Sequence, residues 1–329
     1  MEKIELTKGE GGLKISNYKN YIQKGIEYGC DNLGRLKSVL IHTPGEELKL
    51  INKSNYKEWL FDKAPDIKCF IEEHLRYQEL LASNGVKLYE LSDYIKVNKN
   101  LLSSMPNLTY LHDTAVISKK GAILSRMFHP ARKNEEIVVK EALHNLGIPV
   151  LIEFLNNNDY FEGCLLLSEN TILVANTERH NIITIKKFIK MILKDFNEVI
   201  FVDIPKARRF MHPDTIFNRI STDLGLIYSP VFKETYLYKY DTKEKIDFVK
   251  FMQKRGMELI GVSDSEQKRL ACSFVSLKSG TIIHYDNSLN KTTQDILKRK
   301  GVEIILFRPK ALLAGGGSLR CITLRLHRK

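Results

Sequence analysis

Five times along the chain an amphipathic helical stretch runs into a glycine or asparagine and then into an apolar strand, at Gly85, Gly147, Asn197, Gly256 and Gly301. A helix that ends on a left-handed residue turns its chain back toward a sheet, so each junction predicts a helix followed by a strand. The strands fall at residues 86–91, 148–153, 199–203, 257–262 and 302–307. Ahead of most of the helices two short apolar runs are split by a polar turn, at 115–124, 165–174 and 274–283, which predicts hairpins. The unit is hairpin, helix, strand, and its junctions recur every 45 to 62 residues. A unit with one helix cannot bury both faces of its own strands, so five in one chain predict a ring whose neighbours share a core around a central axis. The competing reading is an ordinary mixed α/β domain.

At 329 residues and 43% apolar content the chain can fill one large core, and the unbroken repeat predicts a single domain over residues 1–329. No run approaches the length of a membrane span, and residues 1–17 lack the apolar centre of a secretion signal, so a cytoplasmic protein is expected. Five cysteines, at 30, 69, 164, 272 and 321, are far apart, which argues against structural zinc and a disulfide frame. Neither a metal nor a cofactor is called for. The net charge of +12 raises the question of nucleic acid, but the lysines lie on outward helix faces such as Lys186, Lys187, Lys190 and Lys194. The same helix carries Ile182, Ile185, Phe188, Ile189, Ile192, Leu193 and Phe196 on its other side, a solvated face opposite a core face. No aromatic interleaving suggests base stacking, so neither a nucleic acid nor a membrane is the expected partner.

Near the C-terminus the chain reads Gly315-Gly-Gly-Ser-Leu-Arg-Cys321. Three glycines in a strand-rich region imply close backbone approach or a sharp bend, and a thiol just after them is a candidate nucleophile. Alone, Cys321 reads equally as a small buried apolar residue. Its weight grows beside the polar residues that open the other units. Asp113 opens the second hairpin, Glu162 the third, and His212 with Asp214 the fourth. Equivalent positions in a ring lie at equivalent distances from its axis, so these side chains are expected to converge on one mouth. Taken singly, Asp113 reads as a turn residue and Asp214 as a helix cap. One thiol, one imidazole and three carboxylates exceed what a papain-like protease needs, and the surplus acids call for a cation. A planar guanidinium, with five donors in a fixed fork, is the cation two carboxylates reward best.

These segments resemble the guanidine-modifying enzymes of the pentein fold, most closely the arginine deiminases within the amidinotransferase and deiminase superfamily. The resemblance begins at residues 33–46 and runs through Pro106-Asn-Leu, Asp113, Glu162-Gly163, Glu178-Arg179, His212-Pro-Asp214 and the glycine loop with Cys321. It implies an α/β propeller of five hairpin–helix–strand units about a pseudo-fivefold axis. It also implies that Cys321 attacks the guanidinium carbon while Asp113 and Asp214 hold its nitrogens. His212 would protonate departing ammonia and activate water, and Glu162 would hold a nitrogen and orient the histidine. The family's grip on the substrate α-carboxylate falls here on Asn107, Arg132 and Arg179, which implies free arginine rather than agmatine as substrate and citrulline with ammonia as products.

Two departures stand out. The family's Glu-Gly-Gly-Asp is here Glu162-Gly163-Cys164-Leu165, which removes a carboxylate and leaves Cys164 either as packing or as a redox partner of Cys321. Residues 57–100 are too few for the helical bundle that larger arginine deiminases insert, so assembly contacts of that branch do not carry over and a homo-oligomer stays open. Rival readings on the same constellation are an amidinotransferase and an arginine dihydrolase. A rival from another class is a non-catalytic binding protein on the same ring fold.

Overall fold

The computed structural model describes residues 25–329; the stretch read above at residues 1–17 lies outside them. Strand β1 (Leu36–Ile41) leads through helix α1 (Ile67–Ser83) to β2 (Lys87–Glu90), which lies parallel to β1. The second unit is β3 (Ala115–Ser118), β4 (Gly121–Leu124), α2 (Glu135–Asn145) and β5 (Val150–Ile152). The third is β6 (Leu165–Leu166), β7 (Thr171–Asn176), α3 (Ile182–Ile192) and β8 (Glu198–Asp203). In the fourth, β9 (Phe217–Arg219) and β10 (Leu224–Ile227) are followed by β11 (Glu234–Tyr238), β12 (Lys243–Lys245), α4 (Phe248–Lys254) and β13 (Glu258–Gly261). After the short α5 (Asp264–Lys268) come β14 (Val275–Lys278), β15 (Thr281–Tyr285), α6 (Lys291–Arg299) and β16 (Glu303–Phe307). The last strand, β17 (Leu324–Arg328), runs antiparallel to β1, so the first unit takes its outer pair from both ends of the chain rather than from a hairpin.

In every unit an antiparallel pair is followed by a helical crossover to a parallel third strand. Among the described residues the strands form five separate sheets and do not close into one; the third sheet grows to five strands because β11 and β12 pair onto β8. The buried side chains of the described residues fall into five clusters, each filled from two units. Leu40 and Leu324 meet Leu111 and Ala122, for example, and Val116 meets Val199. The fifth unit shares its remaining cluster with the first, where Val275 and Phe307 pack on Leu36 and Tyr77.

The local signals work as chemistry predicts. Asp66 caps α1 by accepting from the Cys69 N–H, and Phe70, His74, Tyr77 and Leu81 recur on the buried face. The chain leaves α1 through Gly85 at φ +77, with the Gly85 N–H on the Ala82 carbonyl and the Val86 N–H on that of Leu81. Gly147, Gly256 and Gly301 repeat the left-handed exit, but Asn197 does not. There α3 ends five residues earlier, and the Asn197 and Glu198 N–H groups both donate to the Asn170 carbonyl, which holds the reversal without left-handed backbone. On α3 and the turn after it the four lysines are exposed and Ile185, Phe188, Ile189 and Ile192 buried as expected, but Ile182 is exposed, since it stands in the first turn beyond the core edge.

Candidate active site

The same place in each unit supplies the polar groups. Asp113 lies two residues before β3, Glu162 three before β6, Asp214 three before β9 and Cys321 three before β17. A cleft of about 480 Å³ is lined by Asn107, Asp113, Arg132, Arg179, His212 and Cys321. A smaller recess shares Asp113 and His212 with it and adds Glu162 and Asp214. All eight residues singled out from the sequence therefore border two adjoining spaces.

His212 is clasped between carboxylates: its Nε2 lies 3.0 Å from Glu162 Oε2 and its Nδ1 3.5 Å from Asp113 Oδ1. Burial works against a charged ring, but Asp113, Glu162 and Asp214 outweigh it and raise the imidazole above its ordinary value. For Glu162 burial favours the acid, yet the His212 hydrogen bond and the Arg179 charge bring its carboxyl down to about 2. Its other oxygen accepts from the Phe128 N–H at 2.9 Å, which ties the loop before α2 to the third unit. Asp214 accepts from Ser273 Oγ at 2.5 Å and lies 3.4 Å from Arg320 Nε. Ser273 touches Ser318 Oγ at 2.7 Å, and Ser318 stands 3.4 Å from the Cys321 sulfur. Burial first, then Asp113 and Asp214, push the Cys321 thiol up to about 12, so these surroundings keep it protonated.

The three glycines follow from Tyr110. A Cβ on Gly315 would come 1.5 Å from the Tyr110 hydroxyl and one on Gly317 2.5 Å from its ring, while Gly316 takes φ +72. Only a backbone without side chains can lie against that ring and deliver Cys321 to the cleft.

The three residues expected to grip a carboxylate differ in state. Arg179 is buried at the cleft wall with Nη1 4.0 Å from Glu162, and the Asn107 side-chain amide nitrogen is buried without a partner. Arg132 is already committed: its guanidinium pairs with Asp113 and with Glu135 at 2.8 Å, and donates to the Tyr110 carbonyl at 3.0 Å. It thus covers one oxygen of the carboxylate that would receive a guanidinium. Cys164 is a free thiol packed against the aromatic cluster of Phe154, Phe161 and Phe188, which fits the packing alternative.

Sequence reasoning missed Ser273, Ser318 and Arg320, together with Arg208 at the rim, which holds the Leu60 carbonyl at 2.6 Å. Ser273 was findable. It stands two residues before β14, the position that yields a site residue in the other units.

The family model for arginine deiminase matches residues 95–328. The arginine deiminase of Mycoplasma capricolum subsp. capricolum is 25% identical over 90% of this chain and 96% of its own length, and that of Staphylococcus haemolyticus 23% identical over 90% and 97%. Among solved structures, the N-terminal domain of ArgZ, an arginine dihydrolase from Cyanobacteria, superposes with TM-score 0.67 at 18% identity, covering 88% of this chain and 97% of that domain. A dimethylarginine dimethylaminohydrolase gives 0.63 at 15% identity, over 88% and 99%. AgrE, solved with ornithine and NAD+, gives 0.67 at 18% identity over 89% of this chain, which spans 39% of AgrE's length. These likenesses assign the mixed α/β pentein fold, and the match of the family model across residues 95–328 places the chain in the arginine deiminase family.

Proposed function

We propose that the chain is a hydrolase of the guanidine C–N bond that converts free L-arginine to citrulline and ammonia, working as one catalytic domain. Its five units are read as blades around a pseudo-fivefold axis, which the cyclic sharing of core clusters supports. Five unpaired cysteines suit the reducing cytoplasm we assign to it. The observation that carries the reading is His212 held between Glu162 and Asp113 in the cleft that Cys321 lines.

In this scheme the substrate guanidinium replaces Arg132 on Asp113 and takes Asp214 as its second fork, while Glu162 holds a nitrogen. Neutralising these carboxylates removes part of what keeps the buried thiol protonated, so substrate binding itself favours the thiolate. The Cys321 sulfur then forms a bond to the guanidinium carbon. The terminal C–N bond breaks as the His212 imidazolium donates its proton, and ammonia leaves with a covalent thiouronium behind. Neutral His212 next takes a proton from water and the hydroxide adds to the same carbon; the C–S bond then breaks as the added hydroxyl gives its proton to bulk water, where the released ammonia takes it up as ammonium, which returns thiolate and imidazolium with citrulline. Asn107 and Arg179 receive the α-carboxylate, joined by Arg132 once Asp113 is occupied, which disfavours agmatine.

Purified protein incubated with arginine, with citrulline, ammonia and ornithine assayed and Cys321 examined for a mass adduct, tests the reading. Citrulline with equimolar ammonia and an adduct lost in Cys321→Ala is the expected result. Ornithine with ammonia and no accumulated citrulline would replace it by dihydrolysis, and ornithine formed only with an added amine by amidino transfer. No turnover of any guanidine would end it.

A further inference from the structure

A second cavity, of about 540 Å³, is lined by the first strand of every unit: β3, β6, β9, β14 and β17 all reach it. Because the catalytic candidates sit just ahead of those strands, the cavity lies further along them, beyond the active-site cleft. Four arginines line it, Arg219, Arg320, Arg325 and Arg328. Among the described residues the only carboxylate paired with any of them is Asp214, 3.4 Å from Arg320. The remaining partners are neutral: Arg328 donates to the carbonyls of Gly34 and Ser276, and Arg219 to that of Leu166.

Arg320 and Arg328 are buried and Arg219 and Arg325 half-buried; charge withdrawn from water without a counter-charge is expensive, and proteins ordinarily pair it. Here two of the guanidiniums also lack hydrogen bonds they require. The Nε atom of Arg325 is shut off from solvent with no acceptor, and that of Arg320, equally shut off, has only the 3.4 Å contact to Asp214, which is not aligned as a hydrogen bond. Burial and then the neighbouring Arg325 charge hold Arg219 down to about 10 and Arg320 to about 9, the direction expected when like charges crowd one space. Carbonyls and water can accept hydrogen bonds but cannot cancel the charge. A compact oxyanion does both, since each guanidinium presents a fork that matches two of its oxygens. The rest of the wall, with Leu165, Phe217 and Leu324, is apolar and offers little to a larger polar ligand.

We propose that this central cavity is a binding site for a small oxyanion of the phosphate class, held by Arg219, Arg320, Arg325 and Arg328. Arg320 also reaches Asp214 and precedes Cys321, so the bound anion draws on the same guanidinium as the catalytic cleft. Occupancy is therefore expected to alter arginine turnover as well as stability.

The test is calorimetric titration of the full chain with inorganic phosphate against chloride at matched ionic strength, with thermal unfolding in parallel. A saturable Kd of about 1 mM or tighter is expected, with a Tm rise of about a few degrees at high excess. Arg325→Gln and Arg219→Gln should each weaken binding about tenfold or more. A second variant, Arg325→Leu, removes one unpaired charge, so it should unfold at a higher temperature than wild type without phosphate and lose the phosphate response. Adenosine monophosphate as a competitor tells whether the anion arrives free or on an organic carrier, and binding of either supports the site. No saturable binding by either, or equal phosphate responses in wild type and both Gln variants, would overturn it. Because binding is read without turnover, its failure is distinct from failure of the proposed reaction.

Discussion

Replacing Glu162 by glutamine keeps the side chain's size and one acceptor but removes the charge that His212 and Arg179 face. The residue is 1% exposed, so solvent does little to screen the change. Burial alone would lift this carboxyl above the ordinary 4.5, yet the His212 hydrogen bond and the arginine charges hold it at about 2. At about 1.4 kcal/mol per unit, that depression corresponds to roughly 3 kcal/mol in favour of the folded state. Because the folded value lies below the unfolded one, the contribution is complete above about 4.5 and is lost as pH falls through about 2. Urea unfolding of wild type and Glu162→Gln from neutral pH down to about 3 measures it. The expected gap is roughly 3 kcal/mol at neutral pH, narrowing steadily below the ordinary carboxylate range. His212 would also lose one of the carboxylates that raise it, so in any active variant the alkaline limit of turnover should move to lower pH. A gap below about 0.5 kcal/mol at neutral pH, or one that does not change with pH, would refute the pairing argument.

Asp113→Asn removes a carboxylate that keeps the Cys321 thiol protonated, so the pH midpoint for its alkylation by iodoacetamide, followed by mass spectrometry, should fall; an unmoved midpoint contradicts the assigned electrostatics. Gly315→Ala places a methyl against the Tyr110 hydroxyl and should cost about 1–3 kcal/mol and most of the activity. Tyr110→Phe added to it should recover part of both, and a single variant with wild-type Tm and turnover would sink that account of the glycines. Ser273→Ala withdraws the 2.5 Å hydrogen bond to Asp214 and should lower kcat/KM. Losing a bond to a charged group is worth about 1.5–3 kcal/mol, hence roughly tenfold or more, and unaltered kinetics would remove Ser273 from the site.

Much of this architecture was legible because its signals are local. A left-handed glycine at 85, 147, 256 or 301 needs only its own helix end, and the hairpins at 115–124 and 274–283 need only their own turn residues. The repeat then carried position into chemistry, since Asp113, Glu162, Asp214 and Cys321 occupy one place in successive units. Ser273 escaped because serine is common and carries no charge, although its register was the same. Asn197 was misjudged as a left-handed exit because the acceptor that holds its turn, the Asn170 carbonyl, comes from the preceding hairpin.

The sequence by itself determined the five units, their order and the residue types that open them, because helix ends, hairpin turns and apolar periodicity are written over a few neighbouring residues. Only the tertiary structure decided who partners whom. It set β17 on β1, added β11 and β12 to the third sheet, laid Arg132 across Asp113, and left four arginines around one cavity with, among the described residues, one carboxylate paired to them. Those outcomes turn on distances between segments far apart in the chain, and the energy of a buried charge depends on the group that lies beside it.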